Sequence, residues 1–162
     1  MSNRLVHPVS PVYNSESKIL ILGTFPSVKS REGEFFYHHP QNRFWKVISA
    51  VYNEKLPESI DEKKSLLLRN HIALWDVVQS CEIEGSADST IKNVVPNNIS
   101  PILKAADIQK IYANGNMAYF LYKKYLYDLV GRDIIKLPST SPANASFSLD
   151  RLIEIWSCIR DY

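Results

Sequence analysis

Apolar positions along this chain follow two rhythms. Residues 18–23, "KILILG", and 71–78, "HIALWDVV", are short continuous apolar runs, the pattern of strands buried on both faces. Gly23 and Pro26 stop the first run. Strands are also predicted at 108–115, "IQKIYANG", and at 133–137, "DIIKL". Elsewhere the period is helical. Phe44, Val47, Ile48, Val51 and Tyr52 share one face of a helix predicted over 42–53, and further helices are predicted over 61–70, 98–106 and 116–130. A last helix carries Leu149, Leu152, Ile153, Trp156 and Ile159 on one stripe. Strands alternating with helices imply a mostly parallel sheet covered on both faces, and ligands of such sheets bind beyond the carboxyl ends of the strands.

A length of 162 residues predicts one domain, 1–162, opening with an extended N-terminal segment at 1–17. With 45% hydrophobic and 22% charged residues, the composition excludes a disordered or fibrous chain. The apolar runs fall far short of the ~20 residues that cross a bilayer, and the polar, proline-containing start lacks the apolar centre of a secretory signal. A cytoplasmic protein with no membrane partner is expected. Cys81 and Cys158 stand far apart with no CxxC spacing, so both are expected to be plain thiols. A net charge of +2 does not announce nucleic-acid binding. The distribution changes that picture, because Lys29, Arg31, His38, His39, Arg43 and Lys46 cluster in one stretch.

That stretch belongs to one of three loops that follow strands and so converge on one edge: "GTFPSVKSREGEFFYHHPQN", "DVVQSCEIEGSADS" and "LPSTSPANAS". The third carries the hydroxyls of Ser139, Thr140 and Ser141 between prolines, a composition suited to presenting hydroxyls and backbone amides to phosphate. It equally suits a proline-stiffened turn leading into the last helix, with Ser148 as N-cap. In the first loop, Asn42 stands where a helix N-cap would stand. The adjacent His38 and His39 do not point at one ion and have no third ligand at metal spacing, so no metal is expected. Asp76 and Asp88 are either pocket groups or loop and cap residues, and Asn114 reads as a turn residue.

The segments "ILILGTFPS", "FFYHHPQNRFW" and "LPSTSPANA" resemble, in order, the signature segments of the uracil-DNA glycosylase superfamily, most closely its hypoxanthine-DNA (deoxyinosine) glycosylase branch. The resemblance runs from Ile19 to the C-terminal helix, with "ALWDVV" and "ANG" as weaker agreements. It implies a three-layer α/β/α sandwich around a mostly parallel four-stranded sheet. It also implies a monomer that needs no cofactor and acts on double- or single-stranded DNA containing a deaminated base. The expected reaction is hydrolysis of the N-glycosidic bond of hypoxanthine to leave an abasic site. With no lysine in these segments to form a Schiff base, no lyase step is expected. The alternatives are a uracil- or xanthine-preferring relative, or a nucleic-acid-binding domain that has lost catalysis.

Residue roles follow from the same resemblance. Mismatch-type uracil glycosylases carry an asparagine in a "GxNPG" segment where this chain has Thr24, and the hypoxanthine branch is understood to use the asparagine of "PQNRFW", here Asn42. Cleavage to a purine leaves oxocarbenium-like charge on the sugar, so the attacking water needs orientation more than deprotonation, and the Asn42 amide could accept a hydrogen bond from it. A base flipped out of the duplex needs an aromatic partner. Phe44 matches the stacking aromatic, Phe25 and Tyr37 would wall the pocket, and His39 would donate to base or phosphate. Ser27 and Arg43 would contact DNA, as would Ser139, Thr140, Ser141, Pro142 and Asn144. His38 replaces the glycine usual in "YYGHPQN", and its side chain could narrow the pocket mouth.

Overall fold

The computed structural model of the chain describes residues 4–161, so residues 1–3 of the expected N-terminal segment lie outside the described residues. The two apolar runs become the parallel neighbours β2 (Ile19–Gly23) and β3 (Ile72–Asp76). They are joined by β6 (Lys110–Asn114) and β7 (Ile135–Leu137) in a four-stranded parallel sheet of order β3-β2-β6-β7. The chain steps from β2 outward to β3 and then returns to the other side of β2, which puts a switch point between β2 and β6, where such sheets open a crevice. Register aligns Gly23 with Asp76, and Asn114 with Leu137, so polar groups from separate strands end at one level.

Alternation along the strands divides the interior into two cores. Ile19, Ile21, Ile72 and Leu74 face α2 (Phe44–Val51), α3 (Ile60–Arg69) and α7 (Leu149–Trp156), meeting Phe44, Val47, Ile48, Leu66, Leu152 and Trp156. Leu20, Leu22, Ile111 and Ala113 face the other way, toward α4 (Ser100–Ala105) and α5 (Asn116–Tyr125). Helices on both faces of this sheet make the expected three-layer α/β/α sandwich.

The chain departs from the sequence reading in three places. The run 71–78 is not one strand. The chain leaves the parallel sheet after Asp76, where the Val77 amide donates to Gly23 O at 2.8 Å. It then re-enters as β4 (Val78–Glu82) of a separate antiparallel sheet, order β1-β4-β5, with β1 (Arg4–Val6) and β5 (Lys92–Pro96). No glycine or proline marks the break, which is held by the Asn97 side chain donating to Asp76 O and Val78 O at 2.9 and 3.2 Å. The N-terminal segment is therefore tied in: it pairs through β1, and Val12 bridges to Leu74 at the edge of β3. In the first loop, α1 (Val28–Gly33) forms despite having no apolar stripe, because Ser27 caps it by accepting from Ser30 N at 3.2 Å. The helix expected over 116–130 breaks at Leu126 into α5 and α6 (Tyr127–Val130).

Candidate active site

The carboxyl ends of β2, β3, β6 and β7 deliver Thr24, Asp76, Asn114 and the segment 138–147 to one edge, and residues 34–43 fold across it. At its centre lies a chain of side-chain hydrogen bonds between groups remote in sequence. Thr140, fully buried, donates from Oγ1 to Asn42 Oδ1 at 2.9 Å and accepts from Asn114 Nδ2 at 3.0 Å. The Thr140 amide donates to Asn114 Oδ1 at 3.0 Å, which fixes the amide orientation of Asn114. Asn42 Oδ1 also accepts from Phe44 N at 2.9 Å, a local Asx-type bond made from the residue before the N-cap; the N-cap of α2 is Arg43, not Asn42 as the sequence suggested. Both lone pairs of that oxygen are thereby used by the protein. Asn42 Nδ2, engaged by no described residue, is the amide atom left open.

Arg43 takes a different place from the one expected. Its guanidinium does not face outward toward phosphate but spreads under the segment 138–147. Nη2 donates to Ser141 O at 2.9 Å and to Asn144 O at 3.1 Å, Nε reaches Thr140 O at 3.5 Å, and Nη1 donates to Phe147 O. A planar fork of donors suits several diverging carbonyls, which would otherwise turn in without partners. The loop hydroxyls expected at DNA are partly spent as well. Ser139 Oγ accepts from Ser141 N at 3.1 Å, Ser141 Oγ accepts from Ala143 N at 3.2 Å, and Asn144 Nδ2 donates to Ser139 O at 3.0 Å. Thr140 is interior, Ser27 caps α1, and Pro142 is exposed at the loop tip. Among the other cations of the cluster, Arg31 is held by Pro26 O and Gly85 O, both at 3.2 Å, and Lys29 lies 3.7 Å from Glu32.

The expected base-stacking aromatics are present but stacked on each other. Phe44 is completely buried, and the Tyr37 ring covers it at 4.1 Å with an interplanar angle of 26°. Tyr37, not Phe44, therefore shows a ring to the edge. Tyr37 has a left-handed backbone, φ 51°, a strained state for a bulky residue. Its hydroxyl is buried beside Asn114 without a hydrogen bond of acceptable geometry, and burial, reinforced by the Asp76 charge, drives its phenol far above the ordinary range. Gly23 makes this arrangement possible: a Cβ there would lie 2.3 Å from Asp76 Oδ1 and 2.7 Å from the Tyr37 hydroxyl. Phe25 is buried, edge-on to His7 at 5.9 Å. His39 Nδ1 accepts from Gln41 N at 3.0 Å. The His38 ring is folded against Gly33, whose Cβ would come within 2.4 Å of it, so it packs on α1 instead of standing free at the mouth.

Several groups here were not read from the sequence as site residues. His7 was missed altogether. It is buried at the head of the N-terminal segment and donates from Nε2 to Asp76 Oδ2 at 2.7 Å, since its Nδ1 accepts from Val9 N at 3.1 Å. No local pattern marks it, because its partner lies on β3. Asn114 is a keystone, not a turn residue; its position at the end of a strand facing the crevice was the available signal. Asp88 also joins the edge. Its loop is pinned to α1, with Ser86 Oγ accepting from Val28 N at 2.9 Å and Gly85 O accepting from Arg31. Desolvation, followed by the charge of Asp76, pushes that carboxyl up to about 6, and donation from Thr24 offsets part of the rise.

That shift has a consequence for stability. The folded chain holds the Asp88 proton to higher pH than the unfolded chain does, so ionising Asp88 costs stability as pH rises through roughly 4 to 6. Asp88 is exposed, and solvent screening limits the cost to about 1 kcal/mol. Asp88→Asn is therefore expected to raise Tm at pH 8 by roughly 2–4 °C, with the gain vanishing near pH 4, as thermal denaturation across that range would show.

Known proteins match this chain over nearly its full length. The family model described as the uracil DNA glycosylase superfamily matches residues 10–161. A hypoxanthine DNA glycosylase of Methanosarcina acetivorans is 35% identical over 150 residues, covering 91% of this chain and 93% of that protein. One of Methanosarcina barkeri is 38% identical over 109 residues, covering 65% of this chain and 68% of its own length. The solution NMR structure of a candidate uracil DNA glycosylase from Methanosarcina acetivorans overlays with a TM-score of 0.80 at 31% identity, covering 95% of each chain. The match begins in the N-terminal segment, takes in every loop of the carboxyl edge and ends in the last helix, and on that ground the chain belongs to the uracil DNA glycosylase superfamily.

Proposed function

We propose that this protein is a DNA glycosylase that hydrolyses the N-glycosidic bond of a deaminated base, hypoxanthine first among them, and leaves an abasic site. The observation that carries the reading is the Asn42–Thr140–Asn114 network at the carboxyl edge: it holds one amide rigidly, with a single free hydrogen-bonding group, where a flipped nucleotide would meet the sheet. The names of the two Methanosarcina relatives support hypoxanthine. The superfamily's own name keeps uracil as the second reading.

In this reading Asn42 acts through Nδ2, not as the acceptor anticipated from the sequence, because Oδ1 is already saturated. An N–H donated to the water oxygen fixes one lone pair and leaves the other directed at the anomeric carbon. No strong base is required, since the departing purine leaves an electrophile that water attacks readily. The Tyr37 ring supplies the stacking surface, backed by Phe44.

The test is to incubate the protein with duplexes carrying a single inosine, uracil or xanthine and to score alkali-labile breaks. Inosine is expected to be cleaved fastest, with strand breakage appearing only after alkali. Faster cleavage at uracil would select the second reading, and no cleavage at any of the three bases would overturn both.

A further inference from the structure

One group at the carboxyl edge comes from outside the family match. His7 lies ahead of residue 10, where the superfamily model begins. Its side chain is nevertheless only 2% exposed, and that of its partner Asp76 only 5%. The segment around it is fastened on both sides: the His7 amide donates to Gln79 O at 2.6 Å, and Trp75 Nε1 donates to Val9 O at 3.1 Å. Phe25, Phe36 and Trp75 enclose the imidazole, with ring centroids 5.9, 6.1 and 6.2 Å away. Val9 N donates to Nδ1, so the ring proton stands on Nε2 and is given to Asp76 Oδ2 at 2.7 Å. A donor caged in this way fixes how the carboxylate is turned.

The other oxygen is left open. No described residue donates to Asp76 Oδ1, which faces the backbone of Gly23 at the floor of the crevice. A Cβ on Gly23 would lie 2.3 Å from Oδ1 and 2.7 Å from the Tyr37 hydroxyl, so Oδ1 stands beside the end of the ring on which a flipped base would stack. The Tyr37 hydroxyl makes no hydrogen bond to it. The amide oxygens of the central network are already engaged, that of Asn42 by two donors and that of Asn114 by Thr140 N.

We propose that Asp76 Oδ1 accepts the N–H that deamination creates on the base, and that His7 is the positioning residue that holds the carboxylate for it. This deepens the glycosylase reading and rests on it. When adenine becomes hypoxanthine, N1 changes from a lone-pair acceptor to an N–H donor. A carboxylate oxygen binds the N–H and repels the lone pair, so unchanged adenine is opposed at this atom. Uracil carries an equivalent N3–H and cytosine an equivalent lone pair, so the contact separates both deaminated bases from their parents without distinguishing one product from the other. The N-terminal segment thereby completes the pocket as well as covering the edge of β3.

Single-turnover rates on inosine- and adenine-containing duplexes, measured for wild type, Asp76→Asn, His7→Phe and His7→Gln, test this. In Asp76→Asn the imidazole N–H takes the amide oxygen, which turns the amide N–H₂ toward the base. Inosine cleavage should fall about 10- to 100-fold, and the inosine-over-adenine ratio should narrow, because that N–H₂ can donate to adenine N1. His7→Phe keeps a ring among Phe25, Phe36 and Trp75 but removes the donor, and it should narrow the ratio about tenfold with Asp76 still in place. His7→Gln, whose amide can donate to Oδ2, should recover most of it. Thermal denaturation checks that each variant is folded, and Asp76→Asn with His7→Gln carries the test should His7→Phe not fold. A histidine that serves only the fold would lower Tm and slow both duplexes alike, and an unchanged ratio in His7→Phe would overturn the positioning role. If wild type cleaves inosine and Asp76→Asn keeps both rate and ratio, the base contact is wrong and the inference fails alone. If wild type cleaves neither inosine, uracil nor xanthine, the glycosylase reading fails and takes this inference with it.

Discussion

Replacing Asn42 by alanine is expected to lower the single-turnover rate of base release by about a thousandfold or more, with circular dichroism and duplex binding little changed. The variant removes the one open amide group of the central network, together with the acceptor that Phe44 N and the Thr140 hydroxyl share. Losing those two hydrogen bonds should cost about 1–2 kcal/mol of stability, a secondary effect against the loss of rate. Asn42→Asp separates the two duties. A carboxylate accepts from Phe44 N and Thr140 just as the amide oxygen does, so stability should return toward wild type. It cannot donate, so the rate should stay low. Near wild-type rates for Asn42→Asp would show that an oxygen, not the Nδ2 donor, does the work. An alanine variant that kept its rate would remove Asn42 from the chemistry altogether.

Arg43→Ala should be the most destabilising change at the site. The guanidinium satisfies carbonyls of Thr140, Ser141, Asn144 and Phe147, and deleting it strands them around a partly buried void. Charge-assisted bonds of this kind are each worth about 1.5–3 kcal/mol, and water will replace some of them. A net loss of about 2–4 kcal/mol is expected, seen as a fall in Tm of roughly 5–15 °C. Lysine should recover little, since one ammonium cannot reach carbonyls that diverge. The rate of base release should fall as well, because the same segment carries Thr140 to Asn42. The counter-hypothesis, an outward Arg43 on phosphate, makes a different forecast. There the variant would keep its Tm, and the slope of log affinity against log salt would shrink by about 0.9.

Much of this architecture was legible in the order of residues. Runs such as "ILILG" and "IALWD" could only be buried strands, and the helical period of Phe44, Val47, Ile48 and Val51 could only be a core-facing stripe, because both signals repeat within the reach of one element. Local chemistry was legible on the same terms: Ser148 as the cap of the last helix, Asn42 at the approach to α2, and three loops brought to one edge by the logic of a parallel sheet. The break after Asp76 was not legible, since Val77 and Val78 are as strand-like as the residues before them. The turn there is made by hydrogen bonds from Val77 to Gly23 and from Asn97, which lie elsewhere in the chain. The same holds for His7 on Asp76, Thr140 on Asn42 and Arg43 beneath the 138–147 segment, separated in sequence by 69, 98 and about a hundred positions. A residue's type states which hydrogen bonds it can make, and neighbours within a turn state the local ones. Whether an arginine meets phosphate or four carbonyls, and which distant amide a buried threonine hydroxyl holds, depends on which distant backbone packs against it, and that is settled only when the sheet has closed.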